Sequence, residues 1–307
     1  MNAVEAAILR TVLYADVFDF PMTCREIHHF LIADHPISLA AVAQTLAASQ
    51  PLRARLQQID GYVVRAGRAD LLAQRRQREQ ASAHLWPQAL IYGVWLARLP
   101  FVRMVALTGA LAMHNAADTH DDLDYVIVTA AHRVWLARAC AVLLVRVARL
   151  RGVIICPNYV LAEDALAQDC QDLYIAHEVA QMVPLYGHDR YRALRQCNGW
   201  VDAHLPNATT TFYPEHDHAP RRGWALIKRG LEALLGGRLG GYLEIWEYRR
   251  KRRRFSAALA KPDHRARIDA RSVKGHFDDH GQRVLRGYHA RLQDYHMSDA
   301  PLTASGD

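Results

Sequence analysis

The chain of 307 residues is 51% hydrophobic and 22% charged, a composition that indicates a globular protein with room for two or three domains. Its five cysteines are scattered and form no Cys-x-x-Cys pair, which argues against a zinc ribbon or a disulfide framework and favours reduced thiols in the cytoplasm. We predict no signal peptide and no membrane partner, because the longest apolar stretch, residues 134–150, contains three arginines and is too short to span a bilayer.

The net charge of +7 is concentrated in two places along the chain. Residues 248–255 contain six consecutive basic side chains, and a weaker basic set occurs at residues 75–78. Such clusters attract nucleic acid, nucleotide phosphates or an acidic membrane surface. A solvated helix face is the other interpretation, and both remain open at this point.

Residues 1–85 are predicted to form a winged-helix-like domain. Apolar residues at helical spacing indicate three helices, over residues 3–14, 23–31 and 38–48. Thr23 and Glu26 have the spacing of a capping box, and a β-hairpin is predicted from residues 61–65 and 69–72. The third helix contains no Arg or Lys, so a structural or protein-contact role is favoured over DNA reading.

Residues 86–205 are predicted to form an α/β (α+β) core, a mixed sheet with helices packed on it. The pattern alternates between strand and helix, which is typical of such sheets. The predicted elements are a helix over 85–97, a strand over 102–107, a helix from Gly109 to about Ala116, a strand from Asp122, a helix over 134–150, a strand over 152–161 and helices near Leu173 and Tyr191. Glu178, in the first of these last two helices, is expected to cap its helix or to pair with an arginine.

Residues 206–297 are predicted to form a C-terminal helical region that begins with a polar linker. Helices are indicated over 223–235 and 242–259, with the glycine-rich stretch 236–241 as the break between them, and a last helix is indicated over 281–295. The tail, residues 298–307, is predicted to be disordered.

Two carboxylates and a glycine carry the chemistry of the predicted core. Asp122 and Asp124 are two residues apart, so on a strand they project from the same face. Paired carboxylates suit a hard divalent cation such as Mg²⁺, which shares its ligands with phosphates. Gly109 opens a helix after the preceding strand, where backbone amides accept phosphate oxygens. The combination indicates nucleotide chemistry.

At these residues the chain resembles the nucleotidyltransferases of the DNA polymerase β superfamily. Their signature is Gly-Ser at a helix start followed by Asp-x-Asp on the next strand, and here it reads Gly109-Ala110 and Asp122-Leu123-Asp124. Residues 101–129, residues 173–187 and the opening LYADVFDFPMT further resemble a bacterial group of nucleotidyltransferase-domain proteins that carry an N-terminal winged-helix-like segment. The resemblance extends over roughly residues 5–295.

The resemblance implies a Mg²⁺- or Mn²⁺-dependent enzyme that transfers a nucleoside monophosphate from an NTP to an acceptor. The acceptor is left open as a small molecule, a protein or a nucleic acid. In this scheme Asp122 and Asp124 are the catalytic metal ligands, and the nucleotide is bound by the residues Thr108, Gly109, Ala110 and Asn158.

Two departures from the family pattern support a different hypothesis. Ala110 replaces the signature serine, and the strand predicted over 152–161 has Asn158 where a third carboxylate is expected. These changes favour, as the alternative, a catalytically degenerate nucleotide-binding or regulatory module of the same fold. A weaker third hypothesis is a nucleic-acid-binding protein that uses the basic stretch 248–255.

Overall fold

A computed structural model describes residues 1–254, 268–274 and 280–297 of the chain. The protein is a mixed α/β structure, as the sequence predicts, with two β-sheets surrounded by helices. The predicted disordered tail, the end of the helix predicted over 242–259 and the last residue of the basic stretch lie outside the described residues.

The N-terminal part of the chain combines short helices with a small antiparallel sheet. Its elements are α1 (Ala3–Asp16), β1 (Met22–Thr23), α2 (Cys24–His29), α3 (Leu39–Ala48), α4 (Gln50–Arg53), β2 (Leu56–Ile59) and β3 (Tyr62–Arg65). The three strands are arranged in the order β1-β3-β2. The capping box predicted at Thr23 and Glu26 is confirmed, because each side chain accepts a hydrogen bond from the other residue's backbone N–H.

The hairpin was predicted with the wrong partner strand. In the structure, the hairpin consists of β2 and β3, joined at Asp60-Gly61, and residues 69–72 are not a strand. Asp60 and Gly61 both have positive φ, as a two-residue type I′ turn requires. Leu71 instead begins a long helix, α5 (Leu71–Ala97), so the boundary predicted at residue 85 falls inside that helix.

The central part of the chain alternates between strand and helix. After α5 come β4 (Val102–Leu107), α6 (Gly109–Ala112), β5 (Leu123–Thr129), α7 (Val134–Arg149), β6 (Ile155–Ala162), α8 (Leu173–Ala180), β7 (Val183–Tyr186), α9 (His188–Cys197) and α10 (Val201–His204). The C-terminal part adds α11 (Arg222–Gly236), α12 (Arg238–Arg254), β8 (Ser272–Lys274) and α13 (His280–Asp294). The break between α11 and α12 is therefore narrower than the predicted glycine-rich stretch.

The main sheet has five strands in the order β7-β4-β5-β6-β8. Only the pair β5 and β6 is parallel, and the other neighbouring strands are antiparallel. The edge strand β8 comes from the C-terminal region, so the sheet extends beyond the predicted core of residues 86–205.

The two faces of this sheet pack into separate hydrophobic cores. Tyr125 and Ile127 of β5 belong to the core that contains α5 and α7. Val126 and Val128 face the other way, into a core that the sheet shares with α1, α8 and α13. Since side chains alternate along a strand, Asp124 lies on the same face as Val126, toward the N-terminal part of the chain.

Helix α12 is anchored to the sheet layer by a buried carboxylate. Glu244 accepts hydrogen bonds from the backbone N–H groups of Trp135 (2.9 Å) and Leu136 (2.7 Å), at the start of α7. These amides have no intrahelical acceptor, because they belong to the first turn of their helix. Among the described residues, no helix is both long enough and apolar enough to cross a membrane.

Candidate functional site

The candidate site lies where the first residues of β5 and β6 meet the turn after β4. A cavity of about 370 Å³ opens there, between the main sheet, helix α8 and the N-terminal part of the chain. Gly109, Ala110, Asp124 and Asn158 all line it. Four of the six residues predicted from the sequence therefore meet at one cavity.

Asp122 and Asp124 lie close together, and a thiol joins them. Strand β5 begins at Leu123. Asp122 therefore directly precedes the strand, whereas it had been predicted to be the first residue of the strand. One ligand atom each of Asp122, Asp124 and Cys156 lies within 4.8 Å of the others. Cys156 reaches this position because it is the register partner of Asp124 across the parallel pair β5 and β6.

The Asp124 carboxyl group is held in an environment that disfavours its charge. Its Oδ1 atom is buried and meets no hydrogen-bond donor in the described part of the chain. Burial, followed by the neighbouring charge of Asp122, raises the pKa of Asp124 to about 8, and Glu178 contributes in the same direction. The Cys156 thiol lowers the pKa of this carboxyl group only in part. A bound cation would relieve this penalty.

The Asp124 side chain lies so close to Gly109 that it restricts the residue type at this position. Its φ of +69° lies in the left-handed region, and a Cβ atom built on it would lie 3.0 Å from Asp124 Cβ and closer still to Asp124 Oδ2. The amide of Thr108 also donates to the backbone oxygen of Asp124 at 3.0 Å. The turn and the carboxylate are thus in direct contact, and only glycine fits between them.

The helix that follows Gly109 is shorter than predicted. It ends at Ala112 and not near Ala116, because His114 adopts a positive φ of 51° and the Asn115 amide turns back to the Ala110 carbonyl oxygen. A single helical turn has only a small dipole, so the phosphate affinity expected of a helix N-terminus is weak here. The remaining feature of the predicted phosphate site is the turn at Gly109, where the backbone lies close to the Asp124 side chain.

Thr108 was predicted to bind the nucleotide, but it does not line the cavity. Its side chain is 1% exposed, and it is not part of the cavity wall. Its hydroxyl neither caps helix α6 nor meets another partner among the residues described. The Thr108 hydroxyl is therefore not in the cavity as a substitute for the signature serine, whose position Ala110 occupies.

Asn158 enters the cavity wall through an irregularity in the sheet. The register of β5 and β6 shifts between Asp124 and Val126, so that both Pro157 and Asn158 lie opposite the single residue Tyr125. Such a bulge re-aims a side chain. Asn158 Oδ1 is buried and has no donor within the described ranges, as is the case for Asp124 Oδ1.

Two charged side chains of the cavity wall come from residues that were not predicted as site residues. Glu178 on α8 and Lys274 on β8 both line the cavity. Burial raises the pKa of Glu178, whereas Lys274 and a hydrogen bond from Gln181 Nε2 (2.7 Å) lower it. Within the described residues no arginine pairs with Glu178, which lines the same cavity as Asp124.

The set of donor atoms suits a hard divalent cation. Asp122 and Asp124 offer carboxylate oxygens, and Asn158 offers an amide oxygen, which are the ligand types that Mg²⁺ and Mn²⁺ prefer. Burial and the adjacent carboxylates raise the pKa of Cys156, so this thiol is held in its protonated form and is a poor ligand for a soft metal. Asp124 Oδ1 and Asn158 Oδ1 are buried acceptors without donors in the described part of the chain, and a cation is one kind of partner that would satisfy them.

We expect Gly109→Ala to destabilise the protein by ~2–4 kcal/mol, because the substitution adds left-handed strain and forces the Asp124 carboxylate to move. Gly67→Ala is the matched control, since Gly67 has a φ of +83° with nothing within 4 Å of an added Cβ. Urea unfolding of both variants separates the strain, which they share, from the clash. Equal losses in the two variants would show that the contact with Asp124 does not matter.

Comparisons of the chain with protein-family models, with curated proteins and with solved structures found no significant match.

Proposed function

We propose that the protein is a nucleotidyltransferase that uses Mg²⁺ or Mn²⁺ to transfer a nucleoside monophosphate from an NTP to an acceptor hydroxyl. The observation that carries this proposal is the juxtaposition of Asp124, Asp122 and the Gly109 turn at a cavity. It also agrees with the resemblance of the signature residues to the DNA polymerase β superfamily.

The side chains of this site have distinct roles in the proposed reaction. Asp122 and Asp124 would hold the cation, and the Asn158 amide oxygen would add a neutral ligand. The cation would neutralise charge on the phosphates and on the leaving pyrophosphate. The Gly109 turn leaves room for a phosphate beside Asp124, because no side chain projects there. Lys274 supplies a positive charge on the cavity wall.

The N-terminal part of the chain is proposed to be a winged-helix-like unit that serves as a wall of the site. The three-stranded sheet and the helices α1 to α4 support this arrangement. Helix α3, the candidate recognition helix, has no basic side chain. A DNA-reading role is therefore not part of the proposal.

The alternative is a nucleotide-binding module of the same fold that has lost catalysis. Two observations favour it: Ala110 lines the cavity without a hydroxyl, and Asn158 stands in place of a third carboxylate. Removing one negative ligand weakens cation binding without abolishing it. Both hypotheses share the cation and the nucleotide, and they differ only in transfer.

The test is calorimetric titration of each NTP with and without Mg²⁺, followed by a screen for transfer of label from the NTP to components of a cell extract. We expect Mg²⁺-dependent NTP binding that Asp122→Asn and Asp124→Asn weaken at least tenfold, with transfer reduced at least a thousandfold. Asp118→Asn is the matched control, because Asp118 is exposed in the same loop and accepts a hydrogen bond only from the His120 amide among the described contacts.

The outcomes separate the hypotheses. Binding with transfer supports the enzyme, whereas binding without transfer to any component favours the non-catalytic module. Absence of NTP binding, or equal behaviour of Asp124→Asn and Asp118→Asn, would reject both.

A further inference from the structure

The cavity beside Asp124 is lined by two chemically different sets of side chains. The N-terminal part of the chain contributes aromatic and apolar side chains, which include Tyr14, Phe18, Phe20, Met22 and Phe30. The sheet and helix α8 contribute the polar side chains Asp124, Asn158, Glu178 and Lys274. The volume of about 370 Å³ lies in the range of small-molecule sites.

The aromatic part of the cavity lining is uncharged, and its rings are stacked on one another. Tyr14 stacks on His177 with ring centroids 3.9 Å apart, and Phe30 extends the stack on the other side at 6.2 Å. Burial lowers the pKa of His177 to about 4, so the ring is neutral at physiological pH. Its Nδ1 atom lies 2.9 Å from the Leu173 carbonyl oxygen, which fixes its orientation. A wall of this kind binds apolar or aromatic groups.

The polar side chains of the lining suit a hydroxyl group. They include two carboxyl groups, Asp124 and Glu178, and the ammonium group of Lys274. A carboxylate oxygen is a good acceptor for a hydroxyl proton. Gln181 donates to Glu178 Oε1 and so fixes the orientation of this carboxyl group.

We propose that the aromatic part of this cavity is the acceptor subsite, that it takes a small, largely apolar molecule bearing a hydroxyl group, and that Glu178 accepts the hydroxyl proton. The inference rests on the proposed function. In the transfer step the acceptor oxygen forms a bond to the α-phosphorus, and the bond from that phosphorus to the α–β bridging oxygen breaks. Pyrophosphate leaves with the electron pair, and the proton passes to the Glu178 carboxylate. The missing strand carboxylate is thus replaced from helix α8.

The subsite is tested without turnover, by calorimetry or ligand-observed NMR with 4-propylphenol and its methyl ether 4-propylanisole at pH 8 in EDTA. We expect the phenol to bind the full-length protein about tenfold more tightly than the ether, because only the phenol donates a hydrogen bond to Glu178. Glu178→Met, which keeps the length of the side chain but removes its strong acceptor, should abolish most of this preference and leave binding of the ether unchanged. A preference that persists in Glu178→Met would overturn the role of this residue.

The location of the probe is tested with a filled cavity. Met113→Trp adds bulk to the cavity wall and should weaken both probes at least tenfold. Leu143→Trp, at a position that is 62% exposed on α7, should leave their affinities unchanged. Absence of probe binding to the wild type, or equal binding to the two tryptophan variants, would overturn the subsite.

A competition experiment distinguishes this inference from the proposed function. We expect NTP with Mg²⁺ to leave phenol binding unchanged or to strengthen it, since acceptor and nucleotide must be bound together. Competitive displacement would show that the cavity holds the nucleoside, which would overturn the acceptor assignment and leave nucleotide transfer intact. Probe binding in a protein that does not bind NTP would reject the proposed function but not the cavity as a small-molecule site.

Discussion

Asp124→Asn is expected to make the protein more stable at pH 8 in the absence of divalent cations, by ~2–4 kcal/mol. Burial raises the pKa of Asp124 from 3.8 to about 8 in the folded protein. Between these values the folded protein binds a proton that the unfolded chain does not, so its stability falls as the pH rises from 4 to 8. Each unit of the pKa shift corresponds to about 1.4 kcal/mol, and local relaxation reduces the total. An asparagine carries no charge and avoids this cost.

Urea unfolding at pH 5 and pH 8, with and without Mg²⁺, checks this expectation. The gain of the variant should shrink at pH 5, and Mg²⁺ should stabilise the wild type but not Asp124→Asn. Asp118→Asn, an exposed change of the same kind, should remain within about 0.5 kcal/mol of the wild type throughout. A variant that is less stable than the wild type at pH 8 in EDTA would contradict the assignment. A residue whose removal increases stability and abolishes transfer is retained for function.

Arg75→Met is expected to destabilise the protein by ~3–5 kcal/mol, because it leaves a buried carboxylate without its cation. Arg75 is bonded to Glu26 and to Glu79, both at 2.8 Å, and its guanidinium group lies 4.0 Å above the ring of Phe20. The side chains of Arg75 and Glu26 are each only 3% exposed. Glu26 also accepts from the Thr23 amide at the start of α2, so the loss reaches the helix cap.

Arg76→Met is the matched control for this change. The neighbouring Arg76 pairs with Asp60, but their side chains are 54% and 61% exposed, so the loss should stay below about 1 kcal/mol. Thermal or urea unfolding of both variants gives the comparison. Similar losses for Arg75→Met and Arg76→Met would show that burial does not determine the value of these ion pairs.

The parts of the fold that were predicted correctly are those with a strong local pattern. Strand β4 coincides with its prediction, and the Thr23 capping box is present. The hairpin was misplaced because the glycine in residues 66–68 was interpreted as its turn, whereas the observed turn is at Asp60-Gly61. Helix α5 was predicted to begin at residue 85 and not at Leu71, because residues 69–72 were assigned to a strand of the hairpin.

The candidate site was predictable only where its residues are close in the sequence. The Gly109 turn and the two aspartates are separated by a single loop, and their pattern indicated a cation site. Glu178 and Lys274 come from elements that only the tertiary structure brings to Asp124. Cys156 reaches the site through the register of β5 and β6, which no local pattern encodes. Asn158 was expected only from the family resemblance, and the irregularity that brings it into the cavity wall was not predicted.

The cavity wall is assembled from three distant parts of the chain, namely the N-terminal helices, the sheet and the final strand and helix. The central part expressed by itself would keep both aspartates and the Gly109 turn, yet it would open the apolar chamber to solvent. Gene fragments that encode the two aspartates and the Gly109 turn alone are therefore poor material for ligand screening. A polypeptide that also includes the N-terminal helices and the final strand and helix presents the complete cavity wall.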